Sequence, residues 1–210
     1  MTDEDLHSLT DDQLFEASWW GTCQNTYGEE TKQLVYARYM GLDFTDQGGP
    51  GPEIDLGETS VLDVGGGPCS LLLKCRGGQR SVVDPCPFPI WVADRYAVAG
   101  VHWFHEPAEW FLPGAHRFDE IWIYNVLQHV VDPELVVRRS RERAATIRIF
   151  EWMNMAPHEG HPHELRRELL EKWLEEEGMT SYVNEGGAVG EAFWGIFPSA
   201  AASNVTDTER

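Results

Sequence analysis

No run of the sequence approaches the ~20 consecutive apolar residues of a membrane-spanning helix, so no such span and no membrane association is expected. Basic residues are scarce: 16 Lys and Arg stand against 35 Asp and Glu, a formal net charge of −19. A surface of that sign repels phosphate backbones on average, which sets nucleic acid aside as the expected partner. The one basic cluster, Arg138, Arg139, Arg141 and Arg143, reads as a solvated helix face. Cysteines number four, and Cys23, Cys69, Cys75 and Cys86 lack the paired spacing of a zinc finger. Free thiols in a cytoplasmic protein are the expectation. The acidic N-terminus has neither the positive region nor the apolar stretch of a signal peptide, which agrees with that location. There is no internal repeat.

What is present is a 42% hydrophobic chain of 210 residues, enough for one real core. Residues 3–20 read as an acidic amphipathic helix, capped at Thr10-Asp11-Asp12-Gln13, with Leu14, Phe15, Trp19 and Trp20 as its apolar surface. A second helix is expected at 29–41, closed by Gly41. The Gly- and Pro-rich stretch 47–52 is a loop. From residue 60 the pattern alternates. Strands are expected at 60–64, 80–84, 101–104, 119–124 and 146–151, and helices at 68–75, 88–99, 133–144 and 162–178. Such alternation predicts an α/β fold with a doubly wound, mainly parallel sheet. Two β-like runs, 180–184 and 192–197, flank a Gly-rich loop and predict a terminal hairpin. Three regions follow: an N-terminal helical lid segment over 1–54, a Rossmann-like domain over 55–198 and a frayed tail over 199–210.

The run Ser60-Val61-Leu62-Asp63-Val64-Gly65-Gly66-Gly67 is an apolar strand that ends in a tight glycine turn. Seventeen residues on, Ser81-Val82-Val83 ends on Asp84, an acid suited to the hydroxyls of a ribose. The segment Phe118-Asp119-Glu120-Ile121-Trp122-Ile123-Tyr124-Asn125-Val126-Leu127-Gln128-His129-Val130 reads as a further strand and its loop. A dinucleotide fingerprint fails, because its third glycine would fall at Ser70. The ordered set, over about residues 55–197, resembles the class I S-adenosylmethionine-dependent methyltransferases. The resemblance implies a seven-stranded sheet whose last strand is antiparallel, and S-adenosylmethionine as cofactor. It places Asp63 and the Gly65, Gly66 and Gly67 backbone at the methionine end, and Asp84 with Pro85 at the ribose. Glu106, Pro107 and Ala108 border the adenine, and Asn125 lies beside the sulfonium. Two departures stand out: Cys69 replaces a usual glycine, and Pro107 stands where an acid often lies. The adenine-side carboxylate is therefore Glu106, Glu109 or neither.

Methyl transfer needs an aligned nucleophile and a dry site, plus a base where the nucleophile carries a proton. His129, just past Asn125, and Glu151, ending the fifth strand, are the candidate catalytic groups; a packed histidine at a helix start is the plain alternative for His129. His158, His161 and His163 join Glu151 as a substrate, metal or structural cluster, and fit no zinc spacing, so no metal is assigned. Trp20, Asn25 and Tyr27 are expected to line the substrate pocket, and Trp19 to anchor the core. The Asp-Pro-Pro-Tyr motif of base-amino methyltransferases and the Pro-Cys nucleophile of cytosine-carbon enzymes are absent after the fourth strand. With the acidic charge, this favours a hydroxyl or amine of a small-molecule acceptor. A nucleic-acid or protein methyltransferase, or a non-catalytic S-adenosylmethionine-binding module, are the alternatives.

Overall fold

A computed structural model describes residues 9–24, 26–44, 51 and 53–199 of the chain. Helix α1 (Asp11–Trp20) opens on a capping box: the Gln13 N–H donates to the Thr10 hydroxyl at 3.3 Å and the Thr10 N–H to Gln13 Oε1 at 3.1 Å. Residues 3–8 of the expected helix lie outside the described residues. Helix α2 (Tyr27–Tyr39) stops before Gly41, whose φ of +69° is the left-handed conformation that ends helices.

The chain then forms β1 (Ile54–Asp55), β2 (Val61–Val64), β3 (Cys75–Arg76), β4 (Arg80–Val83), α3 (Ile90–Ala99), β5 (His102–Phe104), α4 (Ala108–Gly114) and β6 (Phe118–Tyr124). It continues with α5 (Pro133–Arg143), β7 (Ala144–Trp152), α6 (Arg167–Leu174), β8 (Met179–Glu185) and β9 (Ala188–Pro198). Seven strands make one sheet in the order β5-β4-β2-β6-β7-β9-β8, with β1 and β3 paired separately. The first five are parallel, and β9 runs antiparallel to both β7 and β8. A Gly186-Gly187 turn, φ +57° and +82°, closes the terminal hairpin.

Alternation along the strands builds two apolar layers. Leu62, Val64, Ile121, Ile123, Ile147 and Ile149 face Leu112 of α4, Val136 and Val137 of α5, and Leu170 and Leu174 of α6. Val61, Trp122, Tyr124, Phe150 and Trp152 face Val35 and Tyr36 of α2 and Val92 and Tyr96 of α3. At the base of the sheet Arg148 grips Glu120 with two contacts, 2.7 and 2.8 Å, and donates to the Met40 carbonyl at 2.8 Å. That guanidinium ties the end of α2 to the sheet.

Residues 68–75 do not form the expected helix. They make two 3-10 turns, Gly67–Cys69 and Leu71–Lys74, and then enter β3. Pro68 lacks an N–H. Ser70 is extended, ψ 143°, and its hydroxyl accepts from the Leu72 N–H at 3.0 Å. Arg80 takes the Leu72 and Cys75 carbonyls at 3.4 and 2.5 Å, which a helix would have used for itself. The sequence reading also lacked α4, whose seven residues include Pro113 and Gly114. The expected 162–178 helix is shorter, Arg167–Leu174. All four cysteines are buried free thiols. Of the expected tail, Ser199 still donates to the Ala145 carbonyl at 2.8 Å, and 200–210 lie outside the described residues.

Candidate functional site

The carboxyl ends of the parallel strands meet in register, since Val64 pairs with Val83 on one side and Ile123 on the other. Gly65 therefore lies beside Asp84 and near Asn125. Gly65 and Asn125 each make the last ladder bond of their strand, to the Val83 and Phe150 carbonyls at 2.8 and 2.9 Å. Gly65, Gly67 and Asn125 all sit at positive φ, +69°, +59° and +51°. Such backbone exposes main-chain groups at a strand tip, and for a non-glycine residue it is strained. A Cβ on Gly65 would stand 2.1 Å from Val126 Cγ2, so the loop after β6 rests on that bare α-carbon.

Behind the glycine turn is a buried hydroxyl network. Ser70 and Tyr124 both donate to Asp63 Oδ2. Tyr124 accepts from the Leu71 N–H at 3.0 Å, and Tyr96 donates to the Gly67 carbonyl. Asp63 is fully buried, and desolvation raises its pKa to about 7. Its side chain faces the α2–α3 layer, so it braces the turn from behind rather than facing the cleft.

Two cavities lie above these tips. The first is lined by Gly65, Gly66, Gly67, Asp84, Pro85, Pro107, Ala108, Glu109, Asn125 and His129, with Trp20 and Glu16 of α1 above. Asp84, 5% exposed, accepts from the Gly67 N–H at 2.9 Å and the Cys86 N–H at 2.8 Å, one on each oxygen. Each carboxylate oxygen has a further lone pair for a ligand hydroxyl. Burial raises this carboxyl to about 6. The first cavity measures about 100 Å³, below the ~300–1,000 Å³ of ordinary small-molecule pockets, because α1 packs over it.

The second cavity, about 530 Å³, shares Glu16, Trp20, Glu29, Tyr36, Asn125 and His129 with the first. Its far wall comes from Phe15 and Trp19 of α1, Trp152 at the end of β7 and Met153 after it, His158, His161 and the hairpin residues Gly187–Glu191. His129 has its Nδ1 2.7 Å from the Gly160 carbonyl and 3.6 Å from Glu16 Oε2. A carbonyl only accepts, so Nδ1 carries the proton and Nε2 the lone pair. Burial lowers the His129 pKa to about 4, and the ring is neutral at physiological pH. Glu16 is moved the other way by burial, to about 7.

Several expected residues land elsewhere. Glu151 lines neither cavity. Strand alternation turns it onto the α5–α6 face, where Oε1 accepts from the Val126 and Leu127 N–H groups at 3.0 Å each, and burial raises it to about 8. It holds the loop carrying Asn125 and His129, and is not a group at the cleft. Glu106 lines neither cavity; Glu109 does, with Oε1 accepting from the Val131 and Asp132 N–H groups at 2.8 and 3.2 Å. Tyr27 is 85% exposed and away from both cavities. Asn25 lies outside the described residues. Trp19, expected in the core, is 57% exposed and borders the second cavity. His163 is spent on the Val130 carbonyl at 2.8 Å. Among the described residues no three His, Cys, Asp or Glu groups converge as metal ligands. The sequence reading missed Glu16, Glu29 and the hairpin wall, which tertiary folding alone brings to the site. Arg138, Arg139 and Arg141 are each paired with a glutamate, and Arg143 donates to the Pro113 carbonyl.

No protein-family model and no curated protein matches the sequence. Solved structures do match the fold. A 1,6-didemethyltoxoflavin-N1-methyltransferase from Burkholderia thailandensis, with its substrate and S-adenosylhomocysteine bound, aligns at TM-score 0.60 and 13% identity over 95% of this chain and 91% of its own. The magnesium protoporphyrin IX methyltransferase of Synechocystis PCC 6803, with S-adenosylmethionine bound, aligns at 0.57 and 12% over 90% and 98%. The N-methyltransferase NodS of Bradyrhizobium japonicum, with S-adenosylhomocysteine, aligns at 0.55 and 13% over 84% and 90%. With the sheet order, the antiparallel last strand and the glycine turn at the tip of β2, these likenesses show that the chain has the fold of the class I S-adenosylmethionine-dependent methyltransferases.

Proposed function

We propose that the protein transfers a methyl group from S-adenosylmethionine to a hydroxyl or amine of a small molecule. The observation that carries this reading is Asp84. Its carboxylate is fixed by the N–H groups of Gly67 and Cys86, keeps spare lone pairs, and lines the cavity beside three bare glycines. That donor set fits the cofactor: Asp84 would hold the ribose hydroxyls, the Gly65–Gly67 backbone and Asn125 the methionine end, and Pro107, Ala108 and Glu109 the adenine side. The bound cofactor supplies an activated methyl group. The chain's own residues align the acceptor, exclude water and manage its proton.

The second cavity is the acceptor site in this reading, joined to the first at Asn125 and His129. His129, neutral and with a free Nε2 lone pair, contacts the acceptor. Segment 1–54 acts as the lid: α1 must lift from the first cavity to admit a nucleoside and then closes over it. The neighbours named above for methylating small molecules support this class of acceptor. A nucleic-acid or protein substrate is disfavoured, because the arginines of α5 are paired and line neither cavity.

Calorimetry with S-adenosylmethionine tests the reading. Wild type is expected to bind, and Asp84→Ala to lose at least ~30-fold in affinity, since about 2 kcal/mol accompanies each lost hydrogen bond to a charged group. Unchanged affinity in that variant would contradict the ribose placement.

A further inference from the structure

A chain of imidazoles leads from the second cavity to solvent, and its proton positions follow from its partners. His158 Nδ1 lies 2.8 Å from the Glu159 carbonyl, so it donates and His158 Nε2 holds a lone pair. That lone pair lies 2.7 Å from His161 Nδ1, which must therefore carry a proton and leave His161 Nε2 as the open base. The two residues are also fixed by a backbone bridge, His158 N–H to the His161 carbonyl at 3.1 Å and the reverse at 2.9 Å. Their turn is pinned on α1. A Cβ on Gly160 would stand 2.4 Å from Phe15, and the Gly160 N–H donates to Asp12 at 3.3 Å. Exposure rises along the row, from His129 through His161 to the exposed His158.

His129 packs edge-on against His161, ring centroids 4.3 Å apart. A proton taken by His129 has no onward hydrogen bond, because its Nδ1–H ends on the Gly160 carbonyl. One taken by His161 does. The groups facing the pair are His129, Asp12 and Glu16 of α1, and Glu191 of β9 across the cavity. The walls are aromatic, with Trp19, Trp20, Tyr36 and Trp152. Lys32, the one Lys or Arg among the described lining residues, is held by Glu29 at 2.6 Å. An anionic acceptor finds no free cation here.

We propose that the acceptor is an aromatic molecule with an uncharged hydroxyl, and that its proton leaves through His161 and then His158. This rests on the methyl-transfer reading. The O–H electron pair stays on the acceptor oxygen, which bonds to the methyl carbon of the sulfonium donor, and the sulfur retains the pair of the broken bond. The proton bonds to the Nε2 lone pair of His161. The Nδ1 proton of His161 passes to Nε2 of His158, and His158 loses one of its two protons to water. A weak base serves a hydroxyl well, because the oxygen becomes strongly acidic only as the new bond forms. It serves an alkylamine poorly, because an ammonium group must lose its proton before it can attack.

The test is histidine nitrogen NMR on the full chain, with phenol and toluene as probes. The expected result is His161 protonated at Nδ1 and bare at Nε2, with the His161 Nε2 signal moved by phenol and not by toluene. In His158→Gln the amide oxygen still accepts from His161 but cannot carry a proton onward. The His161 titration midpoint should then rise, since the neighbouring His158 ring, which lowers it in the wild type, is replaced by a group that carries no charge. A bare Nδ1 on His161, a phenol response equal to that of toluene, or an unaltered midpoint in His158→Gln would each overturn the proposal. Calorimetry with S-adenosylmethionine is run on the same samples. Cofactor binding with a failed histidine result sinks the relay alone, and no cofactor binding sinks the methyl-transfer reading.

Discussion

Gly65 can carry no side chain for two independent reasons: its φ of +69° and the Val126 methyl that fills the place of a Cβ. Left-handed backbone alone costs an alanine ~1–2 kcal/mol, and Val126 must also move. Gly65→Ala is thus expected to lower the melting temperature and to weaken cofactor binding together, read by calorimetry and thermal melts. Glu151 gives a pH signature. Its native pKa of about 8 exceeds the ordinary 4.5, so the folded state binds more protons between those values. Stability contributed by the neutral form is complete below about 4.5 and is lost as pH rises through about 8. Asp63, raised to about 7, and Asp84, raised to about 6, act in the same direction. His129 and His161, both lowered to about 4, act oppositely: their share is present above the ordinary 6.5 and lost as pH falls through about 4. Glu151→Gln should therefore flatten the decline in stability between about pH 5 and pH 8.5, removing up to about one linked proton from its slope. An unaltered slope would show that Glu151 titrates normally. The identities of these residues were legible in the sequence, but their directions were not. Asp63 and Glu151 both end near strand tips, and only the pairing of strands decides which face of the sheet each one meets.

Among the elements, α1 and α2 make the site what it is. The capping box at Thr10 announced α1, yet its position over the glycine turn depends on contacts with residues far along the chain, such as Phe15 against Gly160. If α1 is the lid, Trp20→Ala should speed both binding and release of S-adenosylmethionine about tenfold, a barrier change of ~1.4 kcal/mol, in stopped-flow fluorescence. Rates equal to wild type would mean that α1 does not gate the first cavity. The joint between α2 and the sheet is Arg148. Arg148→Ala leaves Glu120 without its cation and the Met40 carbonyl without its donor, and is expected to cost about 3 kcal/mol in denaturant unfolding. Arg138→Ala, which removes an exposed pair with Glu134, should cost no more than ~0.5 kcal/mol. The strands were readable because β-branched runs stop at Asp84 and Asn125. The segment 68–75 was not, since Leu71, Leu72 and Leu73 suggest a helix while Pro68 and Ser70 break it.

As a whole, a chain of formal net charge −19 places its cleft at the carboxyl edge of an open sheet, where the strand order reverses between β2 and β6. Parallel register aligns Gly65, Asp84 and Asn125 at that edge, and the antiparallel hairpin β8–β9 extends the far wall of the second cavity. In the proposed reading, a cleft split into a narrow cavity and a roomier aromatic one suits two ligands meeting at Asn125 and His129. The most direct check is calorimetry of S-adenosylmethionine with the wild-type chain beside Asp84→Ala. Saturable one-to-one binding that the alanine variant loses by at least ~30-fold is the predicted result. No heat of binding in the wild type, or equal binding in both proteins, would contradict it.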